Sequence, residues 1–355
     1  MADLNTIRAA LRDKSLEGII IARPEDRFWA SGFTGSAGTV LVTLQDAVLM
    51  TDFRYTEQAA AEAPGFRIVE GRPESDVLAG IITNSGASRI GFDPSYATVL
   101  WHEHLMEQIK GIALVPHEQP IIGLRSRKTP SELDLMAKAA RIADAAFLAA
   151  LEEIKPGAKE RDVALEIELF MRREGAERLA FDIIVVSGKR SSMPHGRATD
   201  KLIEKGDFVT IDYGAVVSGY CSDATRTVVV GRASEEQRRI YDLVLKAQMA
   251  ALEAIGPGKD CAVIDGVARR IVEEAGHAQH FGHTLGHGVG VAVHEMPSLS
   301  ERAAGILLVP GNVVSVEPGV YIPGWGGVRI EDLVAITGEG YRNMTSVPKQ
   351  LIEIG

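Results

Sequence analysis

The sequence of 355 residues contains little cysteine, no long apolar run and no excess of positive charge. Two cysteines, Cys221 and Cys261, are too few for a disulfide framework or a zinc finger. No apolar stretch approaches the roughly 18 residues that a membrane span needs, and residues 1–13 lack the apolar core of a signal peptide. Lys and Arg number 38 against 48 Asp and Glu, a net charge of −10, which argues against nucleic-acid binding. These absences predict a cytoplasmic protein that has neither a membrane nor a nucleic acid as a partner.

The composition that remains is that of an ordinary globular protein, with 46% apolar and 24% charged residues in a chain long enough for about two domains. Residues 1–124 alternate short apolar runs with amphipathic segments, which predicts a small α/β domain. Its strands are expected at 18–22, 38–43, 47–50 and 89–92, and its helices at 4–14, 55–62 and 100–109. A polar, basic connector at 123–128 separates it from a second domain, residues 129–355.

The second domain begins with a strong helix start. Thr129-Pro130-Ser131-Glu132 offers a capping hydroxyl, a proline in the first turn and an acid three residues after the cap. The helix is expected to continue to Leu151 and to end before Pro156-Gly157. Further helices at 161–174, 235–255 and 262–275 alternate with strand-rich stretches, so this domain is predicted to be α+β.

Two segments of the second domain are predicted to form β-hairpins with a carboxylate on each arm. Asp212 then lies opposite Asp223 in the first hairpin, and Glu317 lies opposite Glu331 in the second. The arms are 208–213 with 221–227 and 313–317 with 329–333, and the turns centre between 217 and 218 and on Gly324. Like charges directly opposed in a sheet destabilise it, so two such pairs beside β-branched neighbours require a physical reason.

A cation site is one such reason. Four buried carboxylates close together must take up protons or bind cations. Two divalent ions balance four negative charges, and oxygen ligands favour Mn²⁺, with Co²⁺ or Zn²⁺ as alternatives. Gly286-His287-Gly288-Val289-Gly290 adds an imidazole between small residues that allow close backbone approach. The simpler alternative is that the acids are solvent-exposed and that His287 is a hydrogen-bonded structural residue.

In order and spacing, these motifs resemble the pita-bread metallopeptidases, in the branch that contains prolidase (Xaa-Pro dipeptidase) and aminopeptidase P. The resemblance covers almost all of the second domain and rests on Asp212-Tyr213-Gly214, Ser222–Thr227, Gly286–Gly290, Val316-Glu317-Pro318-Gly319 and Arg329-Ile330-Glu331-Asp332. The first domain resembles the creatinase-like N-terminal domain through Ser31–Gly38 and Thr51–Tyr55. The resemblance implies an α/β creatinase-like domain followed by an α+β pita-bread catalytic domain.

The resemblance also implies a role for individual residues. The metal ligands would be Asp212, Asp223, His287, Glu317 and Glu331, of which Asp223 and Glu331 would bridge two ions. In this family a hydroxide between the ions attacks the scissile carbonyl, and Glu317 would accept its proton. The other catalytic or substrate-binding residues would be His195, His283, His294, Tyr321 and Arg329, and Arg329 would also orient a ligand carboxylate. The substrates would be small peptides with proline in second position, and the enzyme would be a homodimer.

Several alternatives exist for this sequence. One alternative is that the glycine-rich segment 32–38 binds a nucleotide. It lacks the Gly-Lys-Ser/Thr ending of a nucleotide-binding loop, which argues against this function. Within the fold, methionine aminopeptidases usually lack so large a first domain, whereas creatinases and non-enzymatic binding proteins have lost metal ligands that are all present here. Between the two Xaa-Pro peptidases, the chain length resembles prolidase and the segment 32–38 resembles aminopeptidase P. Ser298 stands where prolidases often have an arginine that binds the free carboxylate of the dipeptide. Here Arg302, or a residue of a partner subunit, would have to supply that charge. We expect a dipeptidase, with aminopeptidase P as the alternative.

Overall fold

The computed structural model describes residues 3–72, 76–117 and 120–355. The chain divides into two compact units, Met1–Arg125 and Ser126–Gly355, and the division falls within the basic connector. The first unit is built on one six-stranded sheet and the second on several smaller sheets. Within the described ranges, no helix has both the length and the apolar character to cross a membrane.

The first unit is an α/β layer structure. Its helices are α1 (Leu4–Asp13), α2 (Pro24–Ser31), α3 (Thr56–Glu62), α4 (Asp76–Asn84), α5 (Val99–Gln108) and α6 (Pro120–Arg125). Its strands are β1 (Gly18–Ile21), β2 (Thr39–Thr43), β3 (Ala47–Thr51), β4 (Arg67–Glu70), β5 (Arg89–Phe92) and β6 (Ala113–Pro116). They lie in the order β4-β3-β2-β1-β5-β6, and only β2 pairs in antiparallel fashion with its neighbours. The central strands are buried along their whole length, as expected for a sheet covered on both faces.

The second unit contains four long helices and fourteen strands among the described residues. The helices are α7 (Pro130–Ala150), α8 (Glu160–Arg173), α9 (Glu235–Ala254) and α10 (Cys261–Glu274). The strands that precede α9 are β7 (Arg178–Leu179), β8 (Ile184–Ser187), β9 (Phe208–Tyr213), β10 (Ala215–Val217), β11 (Tyr220–Cys221) and β12 (Ala224–Val230). Those that follow α10 are β13 (Gly286–Gly288), β14 (Glu295–Leu299), β15 (Val313–Val316), β16 (Gly319–Ile322), β17 (Gly326–Arg329), β18 (Asp332–Ile336), β19 (Tyr341–Asn343) and β20 (Glu353–Ile354).

Each carboxylate-bearing hairpin is backed by a pair of helices. The side chains of α7 and α8 share a buried core with one face of β9 and β12, including Val209 and Val228. The side chains of α9 and α10 share another core with β15 to β18 and with the opposite face of β9 and β12, including Phe208 and Val229. Neighbouring residues of β9 and β12 therefore point into different cores, which holds this hairpin rigidly between them.

The helix starts follow from their capping residues. The predicted capping box of α7 is confirmed, since the side chains of Thr129 and Glu132 each bond to the other residue's backbone N–H. Ser234 and Gln237 form the same arrangement at the start of α9. Such reciprocal bonds satisfy two amide groups that the first turn of a helix leaves unpaired.

The first hairpin has a different register from the predicted one. Thr225, and not Asp223, lies opposite Asp212, so the predicted pairing is wrong. The turn is formed by Ser218 and Gly219, which both have positive φ, 47° and 80°. Positive φ at both central residues is typical of a two-residue hairpin turn. Because this turn centres one residue later than expected, every pairing shifts by two residues.

The register of the second hairpin is the predicted one. Its turn centres on Gly324, which adopts the left-handed conformation with φ of 79°. The pairs on either side of the two carboxylates are Gly319 with Arg329 and Val316 with Asp332. Both pairs are symmetric about Gly324. Glu317 and Glu331 are therefore opposite each other, at a break between two ladders of the same register.

At this break the two glutamates bond to other parts of the unit. The N–H of Glu317 donates to the carbonyl of Leu285 at 2.8 Å, and the N–H of Glu331 donates to that of Thr225 at 3.1 Å. The break thus ties the second hairpin both to the segment before β13 and to the first hairpin. This is where the carboxylates of the two hairpins approach each other.

Candidate metal centre and active site

Side chains from three separate segments converge at the break in the second hairpin. Ligand atoms of Asp223, His287 and Glu331 all lie within 4.8 Å of one another. The Nε2 atom of His287 is 3.7 Å from Asp223 Oδ2 and 3.1 Å from Glu317 Oε1. Carboxylate oxygens and an imidazole nitrogen at such distances could hold a divalent cation.

Asp212 extends this group from strand β9. Its Oδ2 atom accepts a hydrogen bond from Arg329 Nη2 at 2.7 Å. Its Oδ1 atom is shielded from solvent and has no hydrogen-bond partner among the described residues. A buried carboxylate oxygen without a partner is costly, and a bound cation would remove that cost. The residues present therefore fit a metal centre.

The electrostatics of the cluster agree with this fit. Burial, together with the charges of the neighbouring carboxylates, raises the pKa of Asp223 and of Glu331 well above the ordinary values. Burial also raises the pKa of Glu317, but the hydrogen bond from His287 and its charge outweigh this effect and bring the pKa to about 2. Without cations, some of these carboxylates are protonated. Bound divalent ions would allow all four to be ionised.

Two hydroxyl groups hold the carboxylates in place. Thr225 Oγ1 donates to Glu331 Oε2 at 2.6 Å. Ser315 Oγ donates to Glu317 Oε1 at 2.9 Å and accepts from the N–H of His287 at 3.0 Å. Neither hydroxyl stands out in the sequence, although each lies two residues from a carboxylate of its own hairpin arm. That spacing is the signal that could have found them, because alternate residues of a strand share a face.

His283 belongs to a chain of hydrogen bonds that leads to Asp212. Its Nδ1 atom lies 2.8 Å from the carbonyl oxygen of Thr284, which can only accept, so Nδ1 carries the hydrogen. Its Nε2 atom therefore accepts from the hydroxyl of Tyr321, 3.0 Å away. That hydroxyl in turn accepts from Arg329 Nη1 at 2.8 Å. Burial lowers the pKa of His283, so the ring is neutral near pH 7.

His294 and His195 lie at the exposed side of the cluster. The ring of His294 is 4.1 Å from that of His287, centroid to centroid, in an edge-to-face arrangement. Loss of hydration and the charge of His287 lower the pKa of His294. A positive charge on His195 contributes to lowering the pKa of both His283 and His294, after the larger effect of burial. The structure therefore brings the three sequence-predicted histidines into one electrostatic neighbourhood.

Arg329 is buried beneath the carboxylates, and all three of its nitrogens donate to protein atoms. In addition to Asp212 and Tyr321, it bonds through Nε to Thr225 Oγ1 at 3.0 Å and through Nη1 to the carbonyl of Pro194 at 3.2 Å. Sequence reasoning grouped Arg329 with the substrate-binding residues as well as with the orienting ones. These contacts favour the orienting role, because the guanidinium is directed at the protein.

A second buried arginine supports Glu331 from behind. Arg226 is 1% exposed, and its Nη1 atom donates to the carbonyl of Glu331 at 2.5 Å. Its Nη2 atom bonds to Asp332 Oδ1 at 2.8 Å and to the carbonyl of Val347 at 2.9 Å. Asp332 is fully buried and also receives a bond from Lys349 at 2.5 Å. These bonds fix the backbone on the carboxyl side of Glu331.

Comparison with known proteins identifies the family. The chain matches the Metallopeptidase family M24 over residues 134–338 and the Creatinase/Prolidase N-terminal domain over residues 4–127. It is 39% identical over 340 residues to the Xaa-Pro dipeptidase of Pyrococcus furiosus, and the alignment covers 96% of each chain.

Two solved structures have the same fold over nearly the whole chain. The Xaa-Pro dipeptidase from Bacillus anthracis superposes with a TM-score of 0.94 at 42% identity and covers 99% of this chain and 98% of that one. The X-Pro aminopeptidase from Thermotoga maritima superposes with a TM-score of 0.94 at 32% identity and covers 100% of both chains. The predicted creatinase-like first domain and pita-bread catalytic domain are confirmed. The chain belongs to the metallopeptidase family M24 and carries that family's Creatinase/Prolidase N-terminal domain.

Proposed function

We propose that the protein is an Xaa-Pro dipeptidase, a prolidase that hydrolyses the bond between an N-terminal residue and proline. The buried cluster of four carboxylates and His287, with an orphaned oxygen on Asp212, carries this proposal. Similarity over nearly the whole chain to proteins named Xaa-Pro dipeptidase supports it. Aminopeptidase P is the second candidate, favoured by the equal TM-score of the X-Pro aminopeptidase from Thermotoga maritima.

We assign the metal site to two divalent ions, with Mn²⁺ as the first choice and Co²⁺ or Zn²⁺ as alternatives. Asp212, Asp223, His287, Glu317 and Glu331 would hold the ions, and Asp223 and Glu331 would serve both. When bound, such ions lower the pKa of a water molecule and polarise the carbonyl of the substrate. The convergence of these side chains within a few ångströms supports the assignment.

The protein's own groups then manage the protons. Glu317, whose Oε1 atom lies 3.1 Å from His287 Nε2 at the centre of the cluster, is placed to accept a proton from the attacking water. The ring of His294 is suited to the charge that develops on the carbonyl oxygen and the departing nitrogen, whereas both ring nitrogens of His283 already bond to Thr284 and Tyr321. His195, whose side chain is exposed, would contact the peptide. Tyr321 and Arg329 hold His283 and Asp212 in position through the hydrogen bonds described above.

Peptide length distinguishes the two candidate functions. The metal-loaded protein is expected to cleave Ala-Pro faster than Ala-Pro-Ala by about tenfold or more, which corresponds to roughly 1.4 kcal/mol of differential binding to the free carboxylate of proline. Initial rates at matched concentrations, with Ala-Ala as the control peptide, measure this. Faster cleavage of the tripeptide would instead identify an aminopeptidase P.

We also propose that the enzyme is a cytoplasmic homodimer, as the family resemblance implies. Ser298 supports the dimer indirectly, because it stands where prolidases often have an arginine and lacks the charge needed to bind the substrate's carboxylate. A partner subunit would then complete the substrate site. Sedimentation equilibrium across a range of concentrations is expected to give twice the chain mass, with specific activity falling as the dimer dissociates. A monomer with full activity would contradict the proposal.

A further inference from the structure

A buried carboxylate outside the metal centre holds both ends of the segment that carries His195. This segment, residues 187–199, is called the His195 segment below. Glu160, the first residue of α8, is 0% exposed. Its Oε1 atom accepts hydrogen bonds from the N–H and the hydroxyl of Ser187, at 2.8 and 2.9 Å. Its Oε2 atom accepts from the N–H and the hydroxyl of Thr199, at 3.2 and 2.8 Å.

A cation completes the surroundings of Glu160. Arg190 Nε donates to Glu160 Oε2 at 3.1 Å, and its Nη2 atom donates to the carbonyl of Arg197 at 2.6 Å. The bonds of Glu160 therefore join the first residue, the last residue and one internal residue of the His195 segment. They fill the four or so acceptor positions of a carboxylate, and the N-terminus of α8 also favours the negative charge. Burial of Glu160 is thus fully compensated.

The middle of the same segment is attached to the metal centre. The carbonyl of Pro194 accepts from Arg329 Nη1 at 3.2 Å, and the Oγ atom of Ser191 accepts from the N–H of Gly327 at 2.8 Å. His195 follows Pro194 directly, and its side chain is exposed. Since an exposed ring is held little by packing, its location depends on the backbone on either side.

We propose that Glu160 is a positioning residue for His195. It closes the His195 segment at its two ends, so that the bonds of Arg329 and Gly327 can hold the middle against the metal centre. This inference rests on the proposed function only in taking His195 to contact the peptide. The competing explanation is that Glu160 stabilises the unit without any specific effect on His195.

A double-mutant cycle separates the two explanations. Glu160→Gln keeps the shape of the side chain but removes the charge and turns an amide NH₂ toward groups that themselves donate. We expect it to lower kcat/KM for Ala-Pro by about tenfold or more, as small misplacements of a reacting group do. In a His195→Ala background the same change is expected to have almost no further effect. Additive losses in the double variant would overturn the proposal in favour of a structural role.

The matched control is Asp162→Asn, which removes a carboxylate in the same first turn of α8. Asp162 is exposed and lies 3.6 Å from Arg161 Nε, so its loss is expected to leave kcat/KM unchanged. If Glu160→Gln fails to fold, Thr199→Val removes a single hydroxyl donor to Glu160 and enters the same cycle. A loss of about twofold or more that vanishes in the His195→Ala background supports the proposal, and an additive loss overturns it.

Hydrogen–deuterium exchange gives a readout that does not depend on activity. Peptides covering the His195 segment are expected to exchange faster in Glu160→Gln than in the natural protein, while those of α9 remain unchanged. Equal exchange in the segment would overturn the inference. A natural protein that cleaves no Xaa-Pro peptide would contradict the proposed function, whereas the exchange experiment would still decide whether Glu160 fixes the segment.

Discussion

The variant Glu331→Gln is expected to lose its metal and nearly all of its activity together. Glu331 is 2% exposed and, on the proposed assignment, serves both ions, so an amide at this position weakens both sites at once. The decrease for Glu331→Gln should exceed the roughly 10–100-fold decrease expected for Arg329→Gln, because Arg329 acts on the centre only by orienting other residues, such as Asp212. The expected order of kcat/KM for Ala-Pro is therefore natural protein, then Arg329→Gln, then Glu331→Gln.

Elemental analysis and steady-state rates on the same samples measure this prediction. The matched control is Glu339→Gln, an exposed carboxylate of the same unit, which should retain both metal and rate. Chelator treatment of the natural protein is expected to remove the activity, and Mn²⁺ or Co²⁺ should restore it. Full activity in a rigorously metal-free sample would contradict the whole assignment of the centre.

The variant His294→Ala is expected to keep both metals and the fold but to lower kcat on Ala-Pro by roughly 10²–10⁴-fold. The bond to proline has no amide hydrogen, and its leaving group is a secondary amine in a rigid ring. The enzyme must therefore supply a proton to the departing nitrogen and stabilise the carbonyl oxygen. The ring of His294, beside that of His287, is placed to do so.

His277→Ala is the control for this second experiment. His277 lies with its Nδ1 atom 3.1 Å from that of His280, in a separate pair of imidazoles that no proposed step uses. Its replacement should leave kcat unchanged. If His294→Ala lost metal, His294 would be a ligand and the assignment would be wrong. If the natural protein cleaved Ala-Ala as fast as Ala-Pro, a general aminopeptidase would replace the proline-specific function.

The two hairpins explain why sequence reasoning succeeded for one register and failed for the other. In the second, Pro323 and Gly324 mark the turn, and a glycine at positive φ is the ordinary choice. In the first, Ser218 adopts positive φ beside Gly219. A serine rarely takes that conformation, so the sequence placed the turn one residue early. Asp223 nevertheless reaches the centre. It lies two positions from Thr225, which is opposite Asp212, and alternate residues of a strand share a face.

The sequence pointed to the candidate ligands directly, whereas the residues that support them were much harder to recognise. The residue pattern pointed to the carboxylates and His287, and the family resemblance added His195, His283 and His294. Thr225 and Ser315 are ordinary strand residues whose bonds depend on the register. Glu160 looks like any acid in the first turn of a helix, where acids are favoured, and nothing local separates it from Asp162. Its role follows only from the fold, which brings both ends of the His195 segment to its carboxylate.

The bonds of Arg226 also set an order of events during protein synthesis. This guanidinium supports the carbonyl of Glu331 and at the same time binds the carbonyls of Val347 and Pro348. Strand β20 pairs with β12 a few residues further along. A nascent chain therefore cannot complete the support behind Glu331 until Val347 and Pro348 have left the ribosome.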